Sequence, residues 1–300
     1  MSYSRVQLKK LETSIATIRS IARVFQNAAT RKMKINQEEI AKIDQYVKEA
    51  AEIYFVSKKA ALATKNIQLA EAVLTAPVRK ASKKRVLVLI SSESRYYGSL
   101  IAGLFDRFLS EFVKGDADGF ILGGIGRELF EENPVGRRRD LSKNVTFLSF
   151  DDDNPDFSSV GGIIKKLVQY SQIVVFYGQY ESVFRQDAKV VELGGSIAPI
   201  GGIDNKKYLF APNALSALVF LEEQFIAGKF LAKLYESGLA KYGYRVKILQ
   251  IGQVAQRISQ ALDELSKSKL AFSKISKNKK QSQLFSGSRL WAGDRIVSVY

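Results

Sequence analysis

Few residues of this chain have types and spacings that could do chemistry. Gly123-Gly124-Ile125-Gly126 follows a short apolar run, Gly119–Gly123, at a place where a phosphate-cradling turn would open a helix. The run does not complete G-x-G-x-x-G, and no other phosphate loop is present, so no bound cofactor is expected. Asp151-Asp152-Asp153 could bind a metal ion or cap a loop. Arg137-Arg138-Arg139 with Lys143, and Lys277–Lys280, offer positive charge to an anion or to solvent. The chain has no cysteine and no histidine. That removes disulfides, thiol catalysis, cysteine-ligated zinc and every triad that needs an imidazole. Carboxylate, tyrosine or lysine chemistry stays open on paper. The reading that follows is a chain without catalytic, cofactor or metal residues.

The elements that would have to position a site are themselves unusual. All five prolines (Pro77, Pro134, Pro155, Pro199 and Pro212) fall in the middle of the 300 residues, with most of the glycines. Proline stops helices and glycine weakens them. The spacing therefore predicts a helical N-terminal arm over 1–76, a compact α/β domain over 77–211, a helical C-terminal arm over 212–287 and a tail over 288–300.

In the first arm Leu8, Leu11, Ile15, Ile18, Ala22, Phe25 and Ala29 recur at steps of three and four, a heptad-like seam. The pattern continues through Ile40, Ile43, Val47 and Ala51 towards Phe55. A helix of about 55 residues would be about 80 Å long at about 1.5 Å per residue. In the last arm Asn213 is a candidate N-cap. Leu215, Leu218, Phe225, Leu231, Leu234, Ile248, Ile251, Ala255, Ile258, Leu262 and Leu265 form a narrow stripe. Gly228, Gly238, Gly243 and Gly252 weaken that helix, and a bend or break is expected near Gly238–Gly243. A narrow stripe on so long a rod needs a helical partner, and the other arm, packed antiparallel as a coiled coil, is at hand.

Between the arms, Arg85–Ile90, Gly119–Gly123, Val145–Phe150 and Ile173–Tyr177 read as short buried strands. Ser99–Val113 and Phe157–Tyr170 read as helices. Such alternation predicts a Rossmann-like, doubly wound open sheet, mainly parallel, with helices on both faces. The formal charge of +16, from 46 basic and 30 acidic side chains, favours an acidic partner. No run approaches the roughly 20 apolar residues that span a bilayer, and Met1–Lys10 lacks an apolar signal core. A cytoplasmic protein, at most peripheral on a membrane, is expected.

At this point the sequence resembles the gamma subunit of F-type ATP synthases. The family's first helix carries a run like S-V-x-N-T-x-K-I-T-K-A-M-x-M-V-A-x-x-K-M. Ser14, Ile15, Ile21, Arg23, Phe25, Ala29, Lys32 and Met33 fall without gaps on its serine, valine, isoleucine, lysine, methionine, alanine, lysine and methionine. Ser92, Gly98 and Leu100 match the family's T-S-D-R-G-L-C-G-G-L-N turn, and Val174–Phe184 is similar to its strand ending in Y-x-x-F. Leu231–Ser237 resembles A-x-L-x-E-S, and Arg245 sits on the arginine of A-R-M-x-A-M-x-x-A. The order of the parts matches over nearly the whole chain. The family's N-A-T-x-N-A segment has become Ile251–Ala255, and its ring-contacting arginine and glutamine fall on Ala271 and Phe272.

The resemblance implies a non-catalytic central rotor shaft, turning inside a ring of alternating alpha and beta subunits. It coupled to proton or sodium transport through a membrane ring of c subunits, with an epsilon subunit at its base and no direct transmembrane insertion. It implies a place on the cytoplasmic face of the cell membrane. It also implies ring contacts by Ile15, Ile21, Arg23, Phe25, Ala29, Lys32, Met33, Arg245, Ile258, Leu265, Lys269 and Ile275. One alternative is the gamma-like shaft of a specialised F-type-like ATPase that does not make ATP. A second is a basic coiled-coil nucleic-acid-binding protein, although aromatics do not interleave with the basic clusters. A third is a Rossmann-like enzyme with helical extensions.

Overall fold

The computed structural model describes residues 5–64, 81–94, 97–136, 138–150, 155, 157–193 and 214–292. The Asp151–Asp153 run, Arg137, Asn213 and the tail beyond residue 292 lie outside the described residues. The chain divides into two compact units, Met1–Lys247 and Ile248–Tyr300.

In the first unit, helix α1 (Arg5–Thr64) runs for 60 residues without a break. Five strands then form one sheet: β1 (Lys83–Ile90), β2 (Asp118–Leu122), β3 (Val145–Leu148), β4 (Tyr170–Tyr180) and β5 (Gln186–Glu192). Helices α2 (Gly98–Phe112), α3 (Gly124–Glu132), the single turn α4 (Arg139–Ser142) and α5 (Phe157–Leu167) connect the strands, and α6 begins at Ala214. The strand order is β3-β2-β1-β4-β5. β1 pairs parallel with both β2 and β4, β2 pairs parallel with β3, and β5 alone runs antiparallel, against β4. The order reverses at the β1–β4 boundary, so the sheet is doubly wound.

The period of two along β1 divides the core. Val86, Val88 and Ile90 face α5 and α6, meeting Val160, Ile163, Leu167, Ile226, Phe230 and Leu234. Leu87 and Leu89 face the opposite layer, meeting Leu100, Leu104 and Phe108 of α2. Val86 through Ile90 are fully buried, as a central parallel strand covered on both faces must be.

The expected strands and helices are all present, with shifted ends. β4 extends three residues beyond Ile173–Tyr177 on each side, and the helix expected over Phe157–Tyr170 stops at Leu167. β5 and α3 were not expected. No break falls near Gly238–Gly243: α6 is continuous from Ala214 to Ala292 through both glycines. The seam on α1 also differs from its spacing. Ile18 and Phe25 are 65% and 57% exposed, and among the described side chains of α1 burial begins at Ala29.

The second unit is helical through Ala292. Among its described side chains Ile248, Ile251, Val254, Ile258, Leu265, Leu270 and Ile275 are all exposed. No helix among the described residues is long and apolar enough to cross a membrane.

Candidate functional site: the paired helices and their seat on the sheet

Helices α1 and α6 pair antiparallel within the first unit. Ala51, Tyr54 and Phe55 pack with Leu218 and Phe225. Farther along, Asn36 reaches Tyr235. Beyond that, Ala29 and Met33 pack with Leu239, Tyr242 and Val246. The α1 numbers fall as the α6 numbers rise, which is the antiparallel coiled coil that the stripes call for.

The glycines of α6 have a different use from the one their helix propensity suggests. A Cβ on Gly228 would lie 2.6 Å from Val47 Cγ2, and one on Gly238 would lie 2.6 Å from Asn36 Nδ2. No carbon fits at such a distance, so these residues set how closely α1 approaches. Packing against α1 and the sheet then keeps α6 helical where glycine alone would loosen it.

Buried polar contacts fix the register. The Tyr54 hydroxyl donates to Glu222 Oε1 at 2.5 Å, and Lys58 Nζ donates to the Tyr54 oxygen at 3.1 Å. All three side chains are nearly inaccessible. Burial, helped by the hydrogen bond to Glu222, pushes the Tyr54 phenol well above its ordinary value. Burial also lowers the Lys58 ammonium, against the pull of Glu222. The Asn36 amide donates to the Tyr235 carbonyl at 3.2 Å.

Farther on, α6 crosses the carboxyl end of the sheet at the strand-order reversal. In open α/β sheets that crevice is where a ligand binds. Here α6 fills it. A Cβ on Gly178 of β4 would stand 3.2 Å from Ala240. Lys241, 3% exposed, donates from Nζ to the carbonyl of Ser91 just past β1, at 3.2 Å. Arg245 Nη2 donates to the Tyr97 hydroxyl at 2.8 Å, with its guanidinium 5.4 Å from that ring's centre.

The glycine run that invites a dinucleotide reading is taken up by the protein itself. Gly123 has φ 93°, and a Cβ there would come within 2.8 Å of Ser92. The Gly124 amide donates to Glu93 Oε2 at 3.0 Å, and the Ile125 amide donates to the Ser92 carbonyl at 2.9 Å. The turn after β2 is thereby clamped onto the turn after β1.

The expected ring-contact residues divide by burial. Ala29 and Met33 are buried between the helices, together with Tyr242. Arg245 is turned to Tyr97. Ile15 and Lys32 are half-buried, and Ile21, Arg23 and Phe25 are exposed on α1. Ile258, Leu265 and Ile275 are exposed in the second unit, where Lys269 belongs to the helix. The chain's spacing gave no sign of Tyr54, Lys58, Glu222 or Lys241. Of these, the only hint available was a charged residue on an otherwise apolar helix face.

Two long paired helices, one of them seated across the carboxyl end of a doubly wound sheet, are the architecture of a stalk protein. The family model for ATP synthase, that of the gamma subunit, matches residues 6–280, and the chain belongs to that family. Among solved structures it is similar to a chain in the central stalk and c-ring of the Tetrahymena thermophila mitochondrial ATP synthase. The identity is 13%, the match covers 78% of this chain and 99% of that one, and the TM-score is 0.55. That likeness establishes a shared fold. Two chains of the Euglena gracilis mitochondrial ATP synthase match at 11% and 13% identity. They cover 89% and 84% of this chain and 97% and 98% of their own, at TM-scores of 0.43 and 0.41. No curated protein sequence matches the chain.

Proposed function

We propose that this chain is the central rotor shaft of an F-type ATP synthase and holds no catalytic residue of its own. The observation that carries the reading is the antiparallel α1–α6 pair, seated on the sheet by Lys241 and Arg245, in a chain of the gamma-subunit family. Nucleotide turnover belongs to the surrounding alpha and beta subunits. The shaft couples their states to rotation by offering a different surface to each of them in turn, and such coupling requires differential contacts in each state. The base partners are an epsilon subunit and the membrane rotor ring of c subunits, which places the shaft at the cytoplasmic face of the membrane.

The ring-contacting residues in this reading are Ile15, Ile21, Arg23, Phe25 and Lys32 on α1 in the first unit and, as a separate set, Ile258, Leu265, Lys269 and Ile275 in the second unit. Ala29 and Met33 contribute by holding α1 to α6. Exposed apolar side chains in such number are costly in water and find their use against a partner. Exposed basic side chains of the long helices, such as Arg23 and Arg31 on α1 and Lys267 and Lys274 on α6, meet acidic levers through ion pairs worth at most about 1 kcal/mol each, weak enough to exchange during rotation.

The test is co-purification. Alpha- and beta-type ATPase subunits should come down with the tagged chain from detergent-solubilised membranes. Recovery of the chain without them would reject the shaft.

A further inference from the structure

We infer that Lys241 and Arg245 form the joint through which the α/β domain turns α6, an inference that rests on the shaft reading above. Torque has to pass between the domain and the long helix without slip. The apolar contacts of Ile226, Phe230 and Leu234 hold α6 against the sheet. Such contacts resist separation, but they are non-directional, so they resist rotation of the helix about its own axis poorly. Directional contacts must supply that resistance.

Lys241 and Arg245 are four residues apart, one above the other on a single helix face. They grip the two ends of one short segment. Lys241 Nζ donates to the Ser91 carbonyl at 3.2 Å, where β1 ends. Arg245 Nη2 donates at 2.8 Å to the hydroxyl of Tyr97, the residue before α2. β1 is hydrogen-bonded to both β2 and β4, so a load placed on Ser91 is shared by the sheet. Two rings enclose the lysine, with its ammonium 5.9 Å from the centre of Tyr97 and 5.8 Å from that of Phe150. On the far side of α6, Gly243 packs so close to Tyr180 that a Cβ there would lie 2.7 Å from its ring.

Stability alone does not account for a lysine 3% exposed. An apolar side chain of similar volume is often as stable or more so, whereas a buried ion fixes register. The ammonium is therefore a positioning device: it sets the rotational phase of α6 relative to the sheet.

The experiment uses the complete complex in sealed vesicles, measuring ion pumping and ATP hydrolysis on the same sample. The variants are Lys241→Met, which keeps the length and removes the charge, and Tyr97→Phe, which removes the hydroxyl that accepts from Arg245. In both variants hydrolysis should stay within about twofold of wild type while pumping per ATP falls several-fold, because losing one charge-assisted hydrogen bond raises slippage about tenfold. An unchanged pumping-to-hydrolysis ratio in an assembled variant complex would overturn the joint. If Lys241→Met fails to assemble, the ratio for Tyr97→Phe decides. A wild-type complex that lacks alpha and beta subunits would sink the shaft reading and the joint with it. A normal wild-type complex with unaffected variants would sink the joint alone.

Discussion

The Tyr54 hydroxyl and Glu222 Oε1 meet at 2.5 Å inside the helix pair, joining residues 168 positions apart in the chain. The same phenol oxygen accepts from Lys58. One side chain thus stands between a buried cation and a buried carboxylate. Tyr54→Phe should destabilise the chain by about 1.5–3 kcal/mol, the cost of a hydrogen bond to a charged group. Thermal or urea unfolding checks it. A loss below about 0.5 kcal/mol would show that the contact contributes little.

The glycines of α6 divide into two kinds, and alanine substitution separates them. Gly252 has nothing within 4 Å of its would-be Cβ, so Gly252→Ala should stabilise by up to about 1 kcal/mol through helix propensity. Gly238→Ala carries the same gain but drives a carbon to 2.6 Å from Asn36 Nδ2, breaking the bond to the Tyr235 carbonyl. It should destabilise. Equal and favourable effects at both positions, measured by unfolding, would contradict close packing at Gly238.

Acid should weaken the α/β domain through Glu111. Hydrogen bonds from Lys114, and then from Arg85, hold its carboxyl below the ordinary 4.5. A carboxylate depressed in the folded state adds stability above its unfolded value and loses it as pH falls through the folded one. Stability should therefore drop below about pH 4.5. Glu111→Gln should flatten that part of the acid limb in a pH series of unfolding midpoints. An unaltered limb would assign the acid sensitivity to other groups.

Phe25 should matter to the assembly and hardly at all to the chain. It is 57% exposed, so Phe25→Ser should change unfolding free energy by less than about 0.5 kcal/mol. The yield of alpha and beta subunits co-purifying with the variant should fall. A chain that unfolds more easily while its partners stay bound would place Phe25 in a core.

Much of this layout was legible in the order of residues. Branched runs such as Val86–Ile90 marked the parallel strands, and the absence of proline marked both arms. β5 was hidden because an antiparallel edge strand, reading Gln-Asp-Ala-Lys-Val-Val-Glu, is only half covered and carries charge. α3 was hidden because it opens on Gly124-Ile125-Gly126, which looks like a loop until the Glu93 and Ser92 contacts are known. The expected break in α6 failed because glycine's effect on an isolated helix is small beside the packing that holds Gly238 against Asn36. Lys241 escaped notice because its acceptor, the Ser91 carbonyl, lies 150 residues away.

The antiparallel pairing also sets a timetable for biosynthesis. Ala51, Tyr54 and Phe55 leave the ribosome long before Leu218 and Phe225 exist to cover them. At roughly 5–20 residues per second, the 168 positions from Tyr54 to Glu222 take roughly 8–34 s to translate. For that interval the nascent first helix has an uncovered greasy strip, with the Tyr54 hydroxyl and the Lys58 ammonium still in water. Chaperone capture should therefore concentrate on ribosomes stalled before codon 214, and should fade once the last third of the polypeptide has emerged.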